Sequence, residues 1–221
     1  VYTQTATAAA LPVPADTVDS IPLTALLLLD IPLLRDQDDG VGFYVAACGY
    51  TDAWTGAQLY KSGDAGATWD IFGDALVSAS SIGVASTALG DFTQNIFDES
   101  GSVTVTMRHG ELASDTEINV LNGANLALLG DELIQYRTAT LVSTGIYTLS
   151  GLLRGRFGTE WARSTHAAGE DFVVLETDSI AAFAGAVAEY DLERQYRAVS
   201  FNNFLDDAIT LRFTNTAVAQ T

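Results

Sequence analysis

Twenty-eight acidic residues, two histidines, one cysteine and ten basic residues are the groups that could carry chemistry in this 221-residue chain. Acid pairs come first, because hydrolysis of a glycosidic bond needs two carboxylates held in different environments. The acids here show no isolated pair in an apolar frame, and no serine lies in a nucleophile elbow. Asp36, Asp38 and Asp39 cluster closely enough to suggest a calcium loop. An EF-hand, however, alternates its ligands before a glycine and closes on a glutamate, an order that RDQDDG lacks, so a solvated loop is expected. His109 and His166 lie far apart and outside any ligand spacing, which assigns them to core or surface roles. Cys48 is alone in the run FYVAAC, where an intramolecular disulfide is impossible and a small core residue is expected. These residues predict a protein that is not an enzyme, with no catalytic group, no metal and no cofactor.

Three other groupings carry more specific signals. Arg154, Arg156 and Arg163 form the densest basic cluster, with Glu160 among them. Guanidinium forks pair with carboxylates, so the cluster reads either as an inter-subunit contact or as a salt-bridge lattice within one chain. Ser62, Asp64, Gly66, Thr68 and Trp69, in SGDAGATW, match the full Asp-box pattern and resemble the hairpin turns of sialidases and related propellers. The expected mechanics are structural: Ser62 and Asp64 bond turn amides, Gly66 takes a positive φ, and Trp69 folds onto the hairpin base. One box in so short a chain, without an arginine triad or a nucleophilic tyrosine, does not make a sialidase. Trp54 and Tyr60, with Trp69, are the aromatics that could stack on a glycan; core packing is the competing reading.

The formal charge of −18, with Lys61 as the single lysine, makes a surface that repels phosphate backbones and anionic membranes. A nucleic-acid partner is therefore not expected. The apolar run over residues 25–29 is far too short to span a bilayer. Val1 in place of an initiator methionine leads us to expect a segment of a longer polypeptide.

The elements that must position these groups read as strands. Residues 132–142 alternate, Ser143, Thr144 and Gly145 supply a turn, and residues 146–149 resume the alternation, which predicts an antiparallel hairpin. The LLRGRFGT segment that follows suits a bulged or sharply bent strand end. Further strands are predicted over 42–48, 57–62, 80–89, 102–107, 171–175, 195–201 and 208–214, with one or two more in 23–34 interrupted by Pro32. Ile180, Phe183, Val187 and Tyr190 fall at helical spacing behind Asp178 and Ser179, which predicts one short helix. Turn signals at about every eight to twelve residues favour a mainly β protein of antiparallel sandwich or barrel-like domains. The expected division is a linker or arm over 1–20, a β domain over 21–110 containing the Asp-box, and a second β domain over 111–221.

The run NGANLALLG, followed by DELIQYRTATLVSTGIYTLSGLLRGRFGTEWA and then HAAGEDFVVL, resembles tail-tip proteins of long-tailed phages. The nearest pattern is the large hub, or megatron, protein of gene transfer agents and related phages of alphaproteobacteria. Gly123, Asn125, Glu132, Tyr136, Thr138, Ala139, Tyr147, Leu149, Leu152, Leu153, Arg154, Gly155, Gly158, Thr159, His166 and Gly169 carry it, and looser similarity extends over residues 25–205. Tyr136 stands where the pattern shows Phe, which leaves the fold expectation unchanged. The resemblance implies a virion component at the tail tip or baseplate hub, a homotrimer in contact with other tail proteins and involved in host attachment or genome delivery. Two other readings stand beside it: a carbohydrate-binding module that recognises a host surface glycan or protein, and an accessory domain of a cell-wall glycoside hydrolase.

Overall fold

In the computed structural model, residues 23–38, 40 and 42–216 are described. The linker expected over 1–20, and Asp39 of the acidic loop, lie outside them. The chain is mainly β, with antiparallel sheets and one short α-helix. Its elements are β1 (Thr24–Leu29), β2 (Gly42–Gly49), β3 (Ala57–Ser62), β4 (Asp70–Ile71), β5 (Ile82–Ala85), β6 (Asp98–His109), α1 (Glu117–Leu121), β7 (Leu126–Leu129), β8 (Glu132–Ser143), β9 (Ile146–Leu153), β10 (Asp171–Val174), β11 (Ile180–Ala184), β12 (Glu193–Ser200) and β13 (Thr210–Thr214).

The hairpin read from alternation is β8 and β9, paired from Gln135↔Leu153 to Ser143↔Ile146 across a turn at Thr144 and Gly145. It forms part of a closed six-stranded barrel in the order β10-β5-β6-β9-β8-β7, every pair antiparallel. Closure pairs every barrel strand on both sides, although β8 beyond Gln135 is paired with β9 alone. Val103, Val105, Ile134, Tyr136, Leu149 and Phe172 fill the lumen. Strands on both sides of residue 110 build this one barrel, so the chain does not change core there.

Two further sheets are assembled from the two ends of the described chain. One has the order β1-β2-β11, the other β13-β12-β3-β4. β2, the central strand of the first, lies between the second sheet and the barrel and is buried on both faces. Tyr44, Ala46 and Cys48 pack with Ile82, Leu128, Leu133 and Val173 on the outside of the barrel. Phe43, Val45 and Ala47 pack with Leu59, Tyr196 and Ala198 of the outer sheet. A strand covered on two sides must be apolar at every position, which accounts for the unbroken run FYVAAC. Burial pushes the Cys48 thiol up to about 11, as suits an inert core thiol.

The helix expected around Ile180 to Tyr190 is instead the strand β11, paired to β2, followed by a 3-10 turn at Val187–Glu189. The reason is geometric. Residues three apart share a face in a helix but lie on opposite faces of a strand. Ile180 enters the core facing the barrel, whereas Phe183 enters the core between the sheets, a division that only a strand can make. Among the described residues the one α-helix is α1, where Thr116 caps the amide of Asn119, in a stretch without apolar periodicity.

Phe43 is 4% exposed and sits at the centre of an aromatic cluster, with ring centroids 4.8 Å from Phe213, 5.5 Å from Tyr196 and 6.0 Å from Phe72. Phe43→Ala is expected to lower unfolding free energy by about 3–5 kcal/mol, whereas Ile71→Ala, at a side chain 65% exposed, should change it by less than about 0.5 kcal/mol. Urea denaturation of both variants measures the contrast; equal losses would show that the aromatic cluster is not a core.

Candidate functional site

The greatest concentration of chemistry lies where β8 begins and β9 ends. Glu132, the first residue of β8, has its side chain at 0% exposure. Its carboxylate accepts from Arg154 Nε at 3.0 and 2.9 Å, from Arg154 Nη2 at 2.7 Å, from the Gly155 amide, and it pairs with His166 Nε2 at 2.6 Å. The other imidazole nitrogen, Nδ1, meets Glu170 at 2.7 Å, and Glu170 also accepts from the Ala167 amide. Arg154 Nη1 donates to the Gly90 carbonyl and lies 3.8 Å from Asp98, whose other oxygen caps the amides of Ser100 and Gly101. Those caps stabilise the bulge at the start of β6, where the ladder with β9 shifts register between Asp98 and Ser102.

Local backbone geometry makes this convergence possible. Gly155 adopts φ +61°, and a Cβ there would fall on Arg163 Nε and Glu160 Cα. The chain then forms successive 3-10 turns at Arg156–Gly158 and Glu160–Ala162, which return it across the end of the barrel. The sharp bend predicted for LLRGRFGT is this turn. Thr159 locks it to the wall, accepting from the Leu133 amide at 2.9 Å and donating to the Arg156 carbonyl at 2.8 Å.

All three arginines of the basic cluster bond within the chain. Arg154 and Arg163 donate to each other's carbonyl oxygens, both at 2.9 Å, and Arg163 also reaches Asn95 Oδ1 and the Thr93 carbonyl. Arg156 donates to Gln135 Oε1, while the Gln135 amide holds the Val120 and Ala124 carbonyls at the end of α1. Within the chain these side chains form the lattice reading's contacts, and the Arg154 side chain has no exposed surface. Sequence reasoning did not assemble Glu132, Asp98 and Glu170 into this group, and it assigned His166 no partner. The signal available was the placement of Glu132, His166 and Gly169 among the positions that carry the phage resemblance.

The arrangement neutralises buried charge. Asp98, Glu132 and Glu170 face Arg154 and His166, and the side chains of Asp98, Glu132, Arg154 and His166 are 3% exposed or less. Burial works against the Glu132 carboxylate, but hydrogen bonds from His166 and Arg154, the Arg154 charge and the Gly155 amide outweigh it and hold its titration below the ordinary 4.5. Burial likewise disfavours the His166 imidazolium, yet the bonds and charges of Glu132 and Glu170 raise it above 6.5. Among the described residues no group of three or more His, Cys, Asp or Glu side chains is arranged to hold a metal ion, and no helix is long and apolar enough to cross a membrane.

The Asp-box forms the turn between β3 and β4. Ser62 Oγ accepts from the Gly66 amide at 2.8 Å, and Asp64 accepts from the Thr68 amide at 2.9 Å and the Thr68 hydroxyl at 2.7 Å. The Thr68 hydroxyl and amide, with Ser62, lower the Asp64 carboxyl to about 2. Gly66 has φ +92°, Trp69 Nε1 donates to the Gly66 carbonyl, and Arg197 stacks 4.5 Å from the Trp69 ring. Trp54 and Tyr60 do not share a face. Trp54 packs against the core that Leu59 enters and donates to Thr24 Oγ1 at 2.8 Å, while Tyr60, one residue beyond Leu59, lies on the other side of β3.

Residues 80–173 match the family model described as Rcc01698-like, C-terminal, a family associated with gene transfer agents in Rhodobacter. The matched stretch coincides with the barrel, from the start of β5 to the third residue of β10, and includes every member of the buried charge cluster. It is less than half of the chain; the two flanking sheets lie outside it. No curated protein matches the chain.

The two titrations set opposite limits on stability. Glu132, lowered on folding, contributes stability that is full above pH 4.5 and is lost as pH falls through its folded value. His166, raised on folding, contributes stability that is full below pH 6.5 and is lost as pH rises through its folded value. Their joint contribution is therefore greatest between 4.5 and 6.5. Urea midpoints taken across pH should decline on the alkaline side in the parent chain, and His166→Gln should flatten that limb. Glu132→Gln, which leaves Arg154 buried against a neutral partner, should cost about 3–5 kcal/mol near neutral pH. An unchanged alkaline limb in His166→Gln would show that the imidazole does not carry the dependence.

Proposed function

We propose that the chain is a non-catalytic structural part of the tail tip, or baseplate hub, of a phage-like particle, acting in assembly and in host attachment or genome delivery. The observation that carries this reading is the match of residues 80–173 to a family associated with gene transfer agents, over the whole of the barrel. The buried cluster suits such a part. Six charged side chains hold three loops against the barrel end, and none of the four most enclosed is open to a substrate. In this reading the partners are other tail proteins and two further copies of the chain, with a host surface glycan or protein beyond them, and the place of action is the virion tail tip.

Particles purified from a strain that carries an epitope-tagged copy of the gene test the proposal. The tag should co-purify with particles, and gold-labelled antibody should mark the end of the tail farthest from the capsid. Sedimentation of the isolated chain should give a trimer. Label along the whole tail or on the capsid would move the chain to another part of the particle, and absence of the tag from purified particles would end the reading.

A further inference from the structure

His166 is bonded at both ring nitrogens, and each bond goes to a carboxylate. Its side chain is 2% exposed, with Nε2 at 2.6 Å from Glu132 and Nδ1 at 2.7 Å from Glu170. Both contacts are hydrogen bonds only while both nitrogens carry a proton. A neutral imidazole has a single N–H, so loss of one proton turns a nitrogen lone pair toward one of the two carboxylates. The remaining charges stand one bond further from the ring: Arg154, from the turn after β9, pairs with Glu132, and Asp98 of β6 lies 3.8 Å from Arg154.

The two carboxylates differ in what can replace the imidazole. Glu132 has no exposed side-chain surface, so a lone pair turned on it would face a charge that water cannot reach. Glu170 is 21% exposed and can turn outward into solvent. Its backbone is fixed independently, because the Ala85 amide donates to the Glu170 carbonyl and the Gly169 amide to the Ala85 carbonyl, both at 2.8 Å. Movement of the Glu170 side chain therefore leaves the start of β10 in place. It does not leave the preceding loop in place. Among the described residues, the bonds of residues 164–168 are those of the Thr165 amide and hydroxyl to the Ala162 carbonyl, of the Ala167 amide to Glu170 Oε1 at 2.6 Å, and of the His166 ring. Two of the tethers that reach beyond the local turn end on Glu170.

We propose that His166 and Glu170 form a proton-operated clamp on the 164–168 loop: the imidazolium holds the loop closed, and loss of the Nδ1 proton leaves Nε2–H on Glu132 while Glu170 turns to water and the loop opens. Burial works against the imidazolium, but the bonds and charges of Glu132 and Glu170 raise it above 6.5. The clamp is thus closed below pH 6.5 and releases as pH rises through the folded value. One proton leaves per opening, so the opening constant climbs by up to about tenfold per pH unit between those two values and is flat outside them. The opening is local. Thr159 keeps its bonds to the Leu133 amide and the Arg156 carbonyl, and the Gly155 amide keeps Glu132, without any part played by the imidazole.

The test is a pH series of nitrogen-15 NMR and amide hydrogen exchange on the full chain. Above the transition the His166 ring should carry its proton on Nε2, with Nδ1 bare. Exchange at the Ala167 amide, corrected for base catalysis, should quicken with pH yet ignore sub-denaturing urea, the mark of a local opening; the Gly155 amide should respond to urea. Glu170→Gln supplies a rescue, because its Nε2 can donate to the bare Nδ1 while its Oε1 still accepts from the Ala167 amide. At the alkaline end Ala167 should therefore exchange about tenfold or more slowly in that variant than in the parent. A proton found on Nδ1 above the transition would mean that the Glu132 contact breaks instead, and would overturn the proposal. So would an Ala167 amide that follows urea as Gly155 does at every pH, or one that exchanges as fast in Glu170→Gln as in the parent.

Discussion

A carboxylate with no exposed surface constrains everything around it. Glu132 is the first residue of a barrel strand, and moving its charge out of water costs more than any one contact returns. The ion is tolerated because Arg154, the Gly155 amide and His166 converge on it, and because His166 is in turn held by Glu170. The partners come from two segments, the turn after β9 and the loop before β10. Satisfying one carboxylate therefore places the end of β9, the turn that follows it and the loop before β10, while the remaining donors of Arg154 and Arg163 place the 90–95 loop. Such networks are poor stabilisers against an apolar alternative, but they are exacting about position. Here they set the geometry of the barrel end and, with it, the presentation of Phe157 and Trp161.

The second constraint is the doubly covered strand β2. The barrel is made from one continuous part of the chain, whereas both flanking sheets join strands from before it with strands from after it. β2 pairs with β1 on one side and β11 on the other, and β3 pairs with β12. The barrel thus resembles an insertion between two sheets that close only after it is complete. Its outer residues Ile82, Leu128 and Val173 then cover the β2 face that the outer sheet does not. The family match follows this division, covering the barrel and stopping where the flanking sheets begin.

Composition and alternation alone determined a good part of this molecule. The β class, the β8–β9 hairpin with its Thr144–Gly145 turn, the limits of β3 and the burial of Cys48 were all legible, because each depends on period, turn chemistry or composition over a few neighbouring residues. The Asp-box was legible for the same reason: its hydrogen bonds run between residues no more than four apart.

What only the tertiary structure decided has a common cause, in contacts between residues distant along the chain. A spacing of three at Ile180 and Phe183 satisfies a helix stripe and a two-sided strand equally, and β2 selected the strand by offering a core on each side. Closure of the barrel joins β7 to β10 and β5 to β10, pairings that no local pattern encodes. Arg154 could as well have faced a second subunit; its carboxylate partner lies 22 residues away, and its carbonyl partner at Gly90 lies 64 away. His166 carried no ligand spacing because its partner across the barrel end is 34 residues distant. A sequence displays periods and neighbours, but desolvated charges select their partners in three dimensions, and the barrel end took its form from that selection.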